Sequence, residues 1–569
     1  MLTDKRFVIA GLSRLSVRVA GRLVRAHGRV VVIRSTGEGE GLLRLLPDGV
    51  DVVTAEPELE YASLAASELP SAHALLALGD DDVANLRAAV AAKDIAPDTP
   101  VALRTFDPAL ADQLEEGLNI RRAYSVSSLA APAFIAAACG DSVFETLRLG
   151  NGEAPIASVT VKPGSPLVGL TAARVKELFG CAVLGRCHAA GSWTPASADD
   201  APLAGGDQVL IGAPLYHVLR LVCVNAGWSR LDGKRPRNKV QAPRRRKRGR
   251  RRLTQLPYVA AGLGLVMLLA VAVFSRAMHL SFVDAVYFVV TTATTTGYGD
   301  ISLKDSPDWL KLFGCGVMVA GGALLGVLFS YFASVATTER IEEWMGRRAE
   351  KMAGHVVVAG LGNLGYRISR LLLQQGLDVA VIELSPRDRF VEAIRQRAPV
   401  LTGDARLPEN LERASTRTAA AFIGGTTDDM VNILACLQAR RMNPNITTVA
   451  RIFDDSLADR LAGAFAISSV LSASECAAGA FVGAATDESA VRTIHVGNLV
   501  VAAARYTATL SIGADAIGGW RESGVRIVAF STDGTALAPP SELPRTCPAG
   551  AQFILCGPLD AVRGIVDGG

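Results

Sequence analysis

The chain has 569 residues, of which half are hydrophobic and 20% are charged, and its formal net charge is +4. A hydrophobic fraction this large excludes a chain that is disordered throughout, and the length predicts about four folding units. The charge is uneven, because residues 234–252 contain 12 Lys or Arg residues and no acid, and taking 12 from +4 leaves −8 for the remainder. The composition therefore does not support a protein that is basic overall and binds nucleic acid.

Cysteine usage and the first residues indicate the compartment. The nine cysteines are scattered, and no two of them form a CxxC pair. That pattern excludes a disulfide scaffold or a zinc ribbon and suits a reducing compartment. Arg6, Arg14, Arg18 and Arg22 interrupt any apolar stretch near the N-terminus, so no signal peptide is predicted and the chain is expected to start in the cytosol.

The N-terminal region, residues 1–142, carries a pattern that recurs in the C-terminal half. Ten identical residues recur at a constant offset of 347, which predicts two copies of one fold. The ten pairs are Asp81, Asp82, Asn85, Arg104, Phe106, Asp107, Leu110, Asp112, Ser125 and Phe134, matching Asp428, Asp429, Asn432, Arg451, Phe453, Asp454, Leu457, Asp459, Ser472 and Phe481.

In the first copy, a dinucleotide-type turn is incomplete. The segment GLSRLS at residues 11–16 keeps only the first glycine of a GxGxxG pattern, and Arg34 stands where an acid would end the second strand. We expect this lobe to be structural, as an assembly partner of the second copy; an anionic ligand held by Arg34 is the alternative. Residues 143–225 are expected to form its small following subdomain, and residues 226–252 a basic linker.

Two stretches of the chain are long enough to cross a bilayer. Residues 253–275 and 312–338 contain no charge over 23 and 27 positions, and a span needs about 20. Basic residues precede the first stretch and follow the second, so the positive-inside rule places both termini in the cytosol of a cell-membrane protein. The basic run 244–252 is interpreted as a topology signal that contacts anionic lipids. Burial of both stretches in a large soluble core is the alternative.

Between these stretches, residues 285–299 are uncharged but too few to span, which predicts a re-entrant segment. Residues 283–294 are predicted to form a short helix whose C-terminal end points at a cation path. The segment ends TTTGYGD, and the backbone carbonyls of Thr295, Thr296, Gly297 and Tyr298 are expected to replace the hydration shell of a cation.

The TTGYGD sequence resembles the potassium-channel signature TVGYG, with Thr296 where valine is common. The resemblance implies a K+ selectivity filter. Its candidate residues are Thr295, Thr296, Gly297, Tyr298, Gly299 and Asp300. In the second stretch, Gly321 and Gly322 are a candidate gating hinge, with close helix packing as the alternative. Residues 339–352 are predicted to form a linker helix to the region that follows.

Residues 353–488 carry the complete dinucleotide pattern. An apolar run at 355–359 leads into Gly360, Gly362 and Gly365, and the next predicted strand ends in Glu383. The glycines allow a tight turn, close approach of a pyrophosphate and helix packing, and an acid at this position binds a ribose diol. Asn363 and Leu364 complete the predicted turn. A Rossmann-like fold that has lost its ligand is the alternative.

Together with the preceding pore, residues 353–485 resemble the RCK (KTN, or TrkA-N) domain that regulates potassium conductance, and residues 489–569 resemble its small following subdomain. The resemblance implies NAD(H), ATP or ADP over the glycine-rich turn, with Glu383 at the ribose and Asp404 at the adenine side. Some relatives bind Ca2+ through acidic side chains instead. The candidates for that are Asp428, Asp429, Asp454 and Asp455, with helix capping as the alternative.

The predicted fold class is multidomain: a two-helix-plus-pore-loop membrane channel domain, residues 253–338, flanked by Rossmann-like α/β RCK domains with small α/β C-terminal subdomains. The predicted function is a ligand-gated potassium-selective channel, not an enzyme, in which a nucleotide or Ca2+ opens or closes the pore. The resemblance implies a homotetramer with an eight-lobe gating ring. The alternatives are a regulatory subunit of a separate potassium transporter and a membrane-anchored NAD-dependent oxidoreductase.

Overall fold

The computed structural model describes residues 4–55, 64, 69–106, 113–115, 120–149, 152–188, 191–196, 201–229, 256–345, 352–385, 388–453, 466–486, 491–534 and 536–568. The linker residues 230–252, residues 346–351 and the candidate calcium ligands Asp454 and Asp455 lie outside these ranges, as do Asp107, Leu110, Asp112 and their repeat counterparts. The chain divides into two units, one made of 1–237 with 348–569 and the other of 238–347.

The first half of the larger unit is a parallel α/β lobe followed by a small antiparallel sheet. The lobe contains β1 (Arg6–Ala10), β2 (Arg29–Ser35), β3 (Val50–Ala55), β4 (Ala74–Ala77), β5 (Val101–Arg104) and β6 (Arg122–Tyr124), with α1 (Arg14–Arg25), α2 (Asp82–Ile95) and α3 (Val126–Cys139). The small subdomain contains β7 (Ser142–Leu149), β8 (Gly152–Thr160), β9 (Ala182–Cys187), β10 (Trp193–Pro195) and β11 (Gln208–Gly212), with α4 (Ala172–Phe179) and α5 (Leu215–Asn225). The strand orders are β3-β2-β1-β4-β5-β6 and β10-β9-β11-β8-β7.

The smaller unit is helical and contains α6 (Leu256–Ala277), α7 (Phe282–Ala293) and α8 (Asp308–Met345). The Phe274 ring of α6 packs against Phe288 of α7 and Phe313 of α8, with ring centroids 5.0 and 5.4 Å apart. Over the described residues, none of the helices offers a stretch that is both long and apolar enough to cross a membrane. The two predicted spans therefore remain predictions.

The second half of the larger unit repeats the first. Its lobe contains β12 (Val356–Ala359), β13 (Val379–Glu383), β14 (Val400–Thr402), β15 (Ala421–Gly424), β16 (Thr447–Arg451) and β17 (Ser469–Leu471), with α9 (Asn363–Gln374), α10 (Val391–Arg395), α11 (Pro408–Arg413), α12 (Asp429–Met442) and α13 (Ala473–Ala485). Its small subdomain contains β18 (Arg492–Val496), β19 (Leu499–Thr507), β20 (Arg526–Ser531) and β21 (Gln552–Gly557), with α14 (Ala514–Glu522) and α15 (Leu559–Gly568). The orders are β14-β13-β12-β15-β16-β17 and β18-β19-β21-β20.

Both large sheets have the strand order of a Rossmann-like fold, so the α/β prediction for the two lobes is confirmed. Their central strands are continuous apolar runs, over residues 7–10 of β1 and throughout β12, because helices cover a parallel sheet on both faces. Each lobe also contains the same hydrogen bond, made by residues whose numbers differ by the repeat offset of 347. The Asn85 side chain donates to the carbonyl of Arg104, and the Asn432 side chain donates to that of Arg451.

The last helix of each large lobe completes the core of the other lobe. Helix α3 is buried along almost all its length, and Phe134 on it shares a core with Val358 and Leu364 of the second lobe. Helix α13 lies in the first lobe's core, where Phe481 meets the Tyr124 ring edge-on at 5.3 Å. A helix that is apolar on all sides needs neighbours all round, and the exchange of helices supplies them.

The two small subdomains also pack on each other. Apolar residues of both sheets, such as Ile156, Leu210, Val501 and Ile554, form one buried cluster. The pairing is close at Gly212, where an added Cβ would lie 2.9 Å from the side chain of Val528. The two halves of the larger unit are thus joined at the large lobes and at the small subdomains.

Candidate functional site

The predicted glycines shape the turn between β12 and α9 in different ways. Gly360 has φ +89°, and a Cβ there would lie 3.1 Å from the backbone of Thr426. A Cβ on Gly365 would overlap the carbonyl oxygen of Gly360. Around Gly362 the space is open, and the described side chains provide no cap for α9. The first N–H groups of this helix therefore remain available to an anion, as a bound phosphate requires.

Glu383 lies beside this turn, where the strand pattern predicted an acid. It ends β13, and its carboxylate accepts hydrogen bonds from the backbone N–H groups of Leu361 and Ser385. The N–H of Gly403, which follows β14, donates to the Glu383 carbonyl at 2.9 Å. The structure thus brings the turn, Glu383 and the end of β14 together at the carboxyl edge of the sheet, where Rossmann-like folds bind ligands.

Arg389, which no sequence motif marks, places a positive charge at the same edge of the sheet. The Arg389 guanidinium donates a hydrogen bond to the Asn363 side chain in the first turn of α9. The guanidinium also lies 4.5 Å from the Phe390 ring centroid, and that ring stacks on Tyr366 at 4.3 Å. Stacking and the hydrogen bond hold a positive charge next to the open helix N-terminus, which favours a phosphate there.

The carboxylate of Asp404 is already paired. Arg406 donates to it from its backbone N–H at 2.8 Å and from its guanidinium at 2.7 Å. The hydrogen bond from Arg406 lowers the pKa of Asp404, so this carboxylate is ionised at neutral pH. Its role at the adenine side stays a prediction, and a ligand there would meet an Asp–Arg pair.

The corresponding turn of the first lobe is capped by its own side chains. The Ser13 hydroxyl accepts from the N–H of Ser16 at 3.3 Å, and the Ser16 hydroxyl accepts from the N–H of Ser13 at 3.1 Å. This reciprocal arrangement satisfies donors that stay open at α9. Ser13 is also fully buried and donates to the carbonyl of Leu78.

Glu38 occupies the position of the missing acid in the first lobe. Its carboxylate accepts from the N–H groups of Leu12 and Ser35 at 3.2 and 3.0 Å, as Glu383 accepts from its own turn. Arg34, at the end of the second strand, donates to the Glu38 carbonyl at 2.9 Å. The sequence offered no motif for Glu38, because it reaches the turn from a loop after β2.

The candidate filter follows α7 in the smaller unit. Thr295, Gly297 and Gly299 have positive φ values of +59°, +51° and +80°, so left-handed residues alternate along the segment. The N–H groups of Thr296 and Gly297 donate to the carbonyl of Thr291 at 2.9 and 3.1 Å, which ties the segment to the end of α7. Tyr298 is parallel to Tyr287, with ring centroids 6.4 Å apart.

The candidate hinge glycines differ in their surroundings. A Cβ on Gly321 would lie within 2.9 Å of the backbone and side chain of Ala293, at the end of α7. Among the described residues outside its own turn of helix, no atom lies within 4 Å of a Cβ added at Gly322. Close packing therefore explains Gly321, whereas the geometry leaves Gly322 as the candidate for a hinge.

The described acidic candidates for calcium have structural contacts. Asp428 caps α12 by accepting from the N–H of Val431, and Asp429 accepts from the N–H of Phe453 at 2.9 Å. Asp429 also lies 3.7 Å from the guanidinium of Arg14. Within the part of the chain that is described, no group of three or more His, Cys, Asp or Glu side chains is arranged to hold a metal ion.

Comparison with known protein families agrees with this organisation. The TrkA-N domain matches residues 7–126 and again 356–473, and the ion-channel domain matches residues 261–338. The chain carries two TrkA-N domains, one on each side of an ion-channel domain. The predicted order, with one RCK-type unit before the pore domain and one after it, is confirmed.

Several curated proteins are similar to parts of this chain. The probable potassium channel protein 2 of Methanocaldococcus jannaschii is 25% identical over 202 residues, which are 34% of this chain and 58% of that protein. The Trk system potassium uptake protein TrkA homolog of Pyrococcus horikoshii is 41% identical over 101 residues, 18% of this chain and 44% of that protein. Among the first relatives, the chain spans between 33% and 64% of their length.

Among solved structures, the GsuK channel bound to NAD matches with a TM-score of 0.50 and 15% sequence identity. The match covers 99% of this chain and 79% of that chain. At this identity the likeness supports a common fold.

Proposed function

We propose that this protein is a potassium-selective channel gated by a nucleotide at the glycine-rich turn of its second TrkA-N domain. The observation that carries the proposal is the alternation of left-handed residues at 295, 297 and 299, within an ion-channel domain that two TrkA-N domains flank. Such alternation lets successive carbonyls line one side of a strand, which suits a dehydrated K+. Relatives named as potassium channels and potassium uptake proteins support the same ion.

The proposed ligand is NAD(H), ATP or ADP, bound in the second lobe only. The uncapped N-terminus of α9, the open space at Gly362, and Glu383 and Arg389 beside it support this choice. GsuK, of the same fold, has been solved with NAD. In the first lobe, Ser13 and Ser16 cap their own helix, which supports the structural role. Ca2+ is the weaker alternative, because Asp428 and Asp429 have contacts of their own.

Coupling to the pore is proposed to run through packed helices. Leu361 and Leu364 of the nucleotide turn share a core with Phe134 of α3, so a ligand that moves the turn also acts on the first lobe. Residues 339–352 connect the second lobe to the pore along the chain. Moving a gate from mostly shut to mostly open takes about 5.5 kcal/mol of differential binding. Over four sites this is about 1.4 kcal/mol each, or a tenfold difference in affinity.

The working assembly is proposed to be a homotetramer in the cell membrane with both termini in the cytosol. One chain supplies one filter strand, whereas a pore needs a ring of them, and four chains bring eight lobes. A regulatory subunit of a separate transporter is disfavoured because the filter is in the same chain. A membrane-anchored oxidoreductase leaves the filter unexplained, so we propose that the protein is not an enzyme.

Potassium flux into liposomes that contain only the purified full chain tests the proposal. We expect K+-selective flux that NAD, NADH, ATP or ADP changes. Gly297→Ala should abolish selectivity because residue 297 is left-handed. Gly264→Ala in α6 should not, since no described atom outside its own helix lies within 4 Å of the new Cβ. Absence of flux with every nucleotide and with Ca2+ would overturn the channel proposal.

A further inference from the structure

An ion pair joins the two halves of the larger unit at one position of the internal repeat. Glu145 of β7 and Arg492 of β18 are 347 residues apart, which is the repeat offset, and the Arg492 guanidinium donates to the Glu145 carboxylate at 3.0 Å. The halves exchange α3 and α13, so an approximate two-fold axis relates them, and a residue that meets its own counterpart lies on that axis. Glu145 and Arg492 therefore occupy the same place in the two copies with opposite charges.

Helix α13 provides the space for this pair. A Cβ on Gly483 would overlap the guanidinium of the pair, and a Cβ on Gly479, one turn earlier, would lie 3.3 Å from a carboxylate oxygen of the pair. The repeat offset places Pro132 and Ala136 at these two positions of α3. Because both of these residues carry a Cβ, α3 lacks the space that the two glycines provide.

A second charged contact is present on only one side of the axis. Arg22 of α1 donates to the Glu475 carboxylate of α13 at 2.6 Å, and Arg18 lies 3.6 Å from the same carboxylate. Counted from the first glycine of each turn, the second-lobe counterpart of Arg22 is Leu371. The repeat offset makes Ser128 the counterpart of Glu475. The contact between the other α1-type helix and α3 therefore has no matching ion pair.

Pairing of like halves would lose both charged contacts. Two first halves would place Glu145 against Glu145, and two second halves would place Arg492 against Arg492. Like charges in direct contact repel each other, and at 20% exposure of each side chain water screens them only in part. Arg22 and Glu475 would also be separated, since one lies in each half.

We propose that these two charged contacts select the pairing of a first half with the second half of its own chain and oppose pairing between like halves. Specificity of this kind rests on repulsion in the wrong pair as much as on attraction in the right one. In an assembly of several chains, each chain then contributes one matched pair of lobes.

Charge reversal in the full chain reproduces the rejected contacts one at a time. Arg492→Glu creates the contact of two first halves, and Glu145→Arg creates that of two second halves. Each should lower the melting temperature of the purified chain in detergent by at least about 2 °C, and the double reversal should recover most of the loss. Arg174→Glu is the matched control, because this 54% exposed arginine pairs with Glu177 in its own helix, and it should have little effect. Single reversals no larger than the control, or a double reversal that recovers nothing, would overturn the inference.

Arg492→Lys keeps the charge and identifies the partner directly. A water-soluble carbodiimide joins a carboxylate to an amine in contact with it as an amide, and the reagent takes up the water as a urea. We expect peptide mass spectrometry to find Glu145 linked to the new lysine, in a species with the mass of one chain on a denaturing gel. Glu145→Gln in the same background removes the carboxylate and should abolish the link. Absence of this link, or its presence only between two chains, would overturn the inference.

Discussion

Replacing Gly362 by aspartate tests the nucleotide site while leaving the fold intact. Gly362 has φ −64° and ψ −173°, which any residue can adopt, and open space surrounds the position of a new Cβ. An aspartate at this N-cap position accepts hydrogen bonds from the N–H groups that a phosphate would otherwise take. The free energy of unfolding should therefore stay the same or rise by about 0.3 kcal/mol.

The effect on ligand affinity is expected to be much larger. A hydrogen bond between a backbone N–H and a charged phosphate contributes about 1.5–3 kcal/mol, and the new carboxylate also repels the phosphate. Loss of one such bond alone raises the dissociation constant by at least about tenfold. The ion-channel domain is untouched, so K+ selectivity in liposomes should not change while the response to nucleotide is lost.

Calorimetric titration of the full chain with NAD and ADP measures this effect, and the chain offers a matched control. Gly513 is the N-cap of α14, has φ −88° and ψ 173°, and lacks a side-chain cap. Apart from its chain neighbours, no atom of the described residues lies within 4 Å of a Cβ added there. Gly513→Asp should bind nucleotide like the wild type. If Gly362→Asp binds NAD and ADP as tightly as Gly513→Asp does, the turn is not the nucleotide site.

Three further outcomes are expected. Phe481→Ala removes a fully buried ring from the first lobe's core and should cost about 3–5 kcal/mol, seen as a lower melting temperature, whereas Phe144→Ala at a 42% exposed ring should have little effect. Burial raises the pKa of Asp141 from the usual 3.8 to about 7, so its contribution to stability is full below pH 3.8 and is lost as the pH rises to 7. Asp141→Asn should remove that loss, so the free energy of unfolding should rise by up to roughly 4 kcal/mol above pH 7 and stay unchanged near pH 3. Equal shifts in melting temperature at both pH values would contradict this. Gly321→Ala should reduce K+ flux into liposomes because the new methyl meets Ala293, whereas Gly322→Ala, whose Cβ meets no described neighbour, should leave the melting temperature unchanged.

Features that depend on neighbours in the chain were predictable from sequence. The second lobe's turn and Glu383 follow from an apolar strand, three glycines and the length of one helix, which are local properties. The duplication followed from residues that recur at one offset, and Asn85 and Asn432 make the same hydrogen bond in both copies.

Features that depend on long-range contacts were not predictable. Glu38 reaches Leu12 across 26 residues of chain, and neither spacing nor periodicity marks such a loop carboxylate. The sequence did not predict the exchange of α3 and α13, for a different reason. An apolar helix has the same pattern whichever sheet it covers, so the sequence indicates that Phe134 and Phe481 are buried but not in which lobe.

The exchanged helices also set the order of events during synthesis. The first lobe lacks part of its core until residues 473–485 have been made, and these follow the whole ion-channel domain in the chain. At about 5–20 residues per second, roughly 20 to 70 seconds separate the end of the first lobe from the arrival of its missing helix. During that interval the face that will receive Phe481 is uncovered, and a shielding partner such as a chaperone has its greatest effect there. A chain that ends before residue 473 never closes this face.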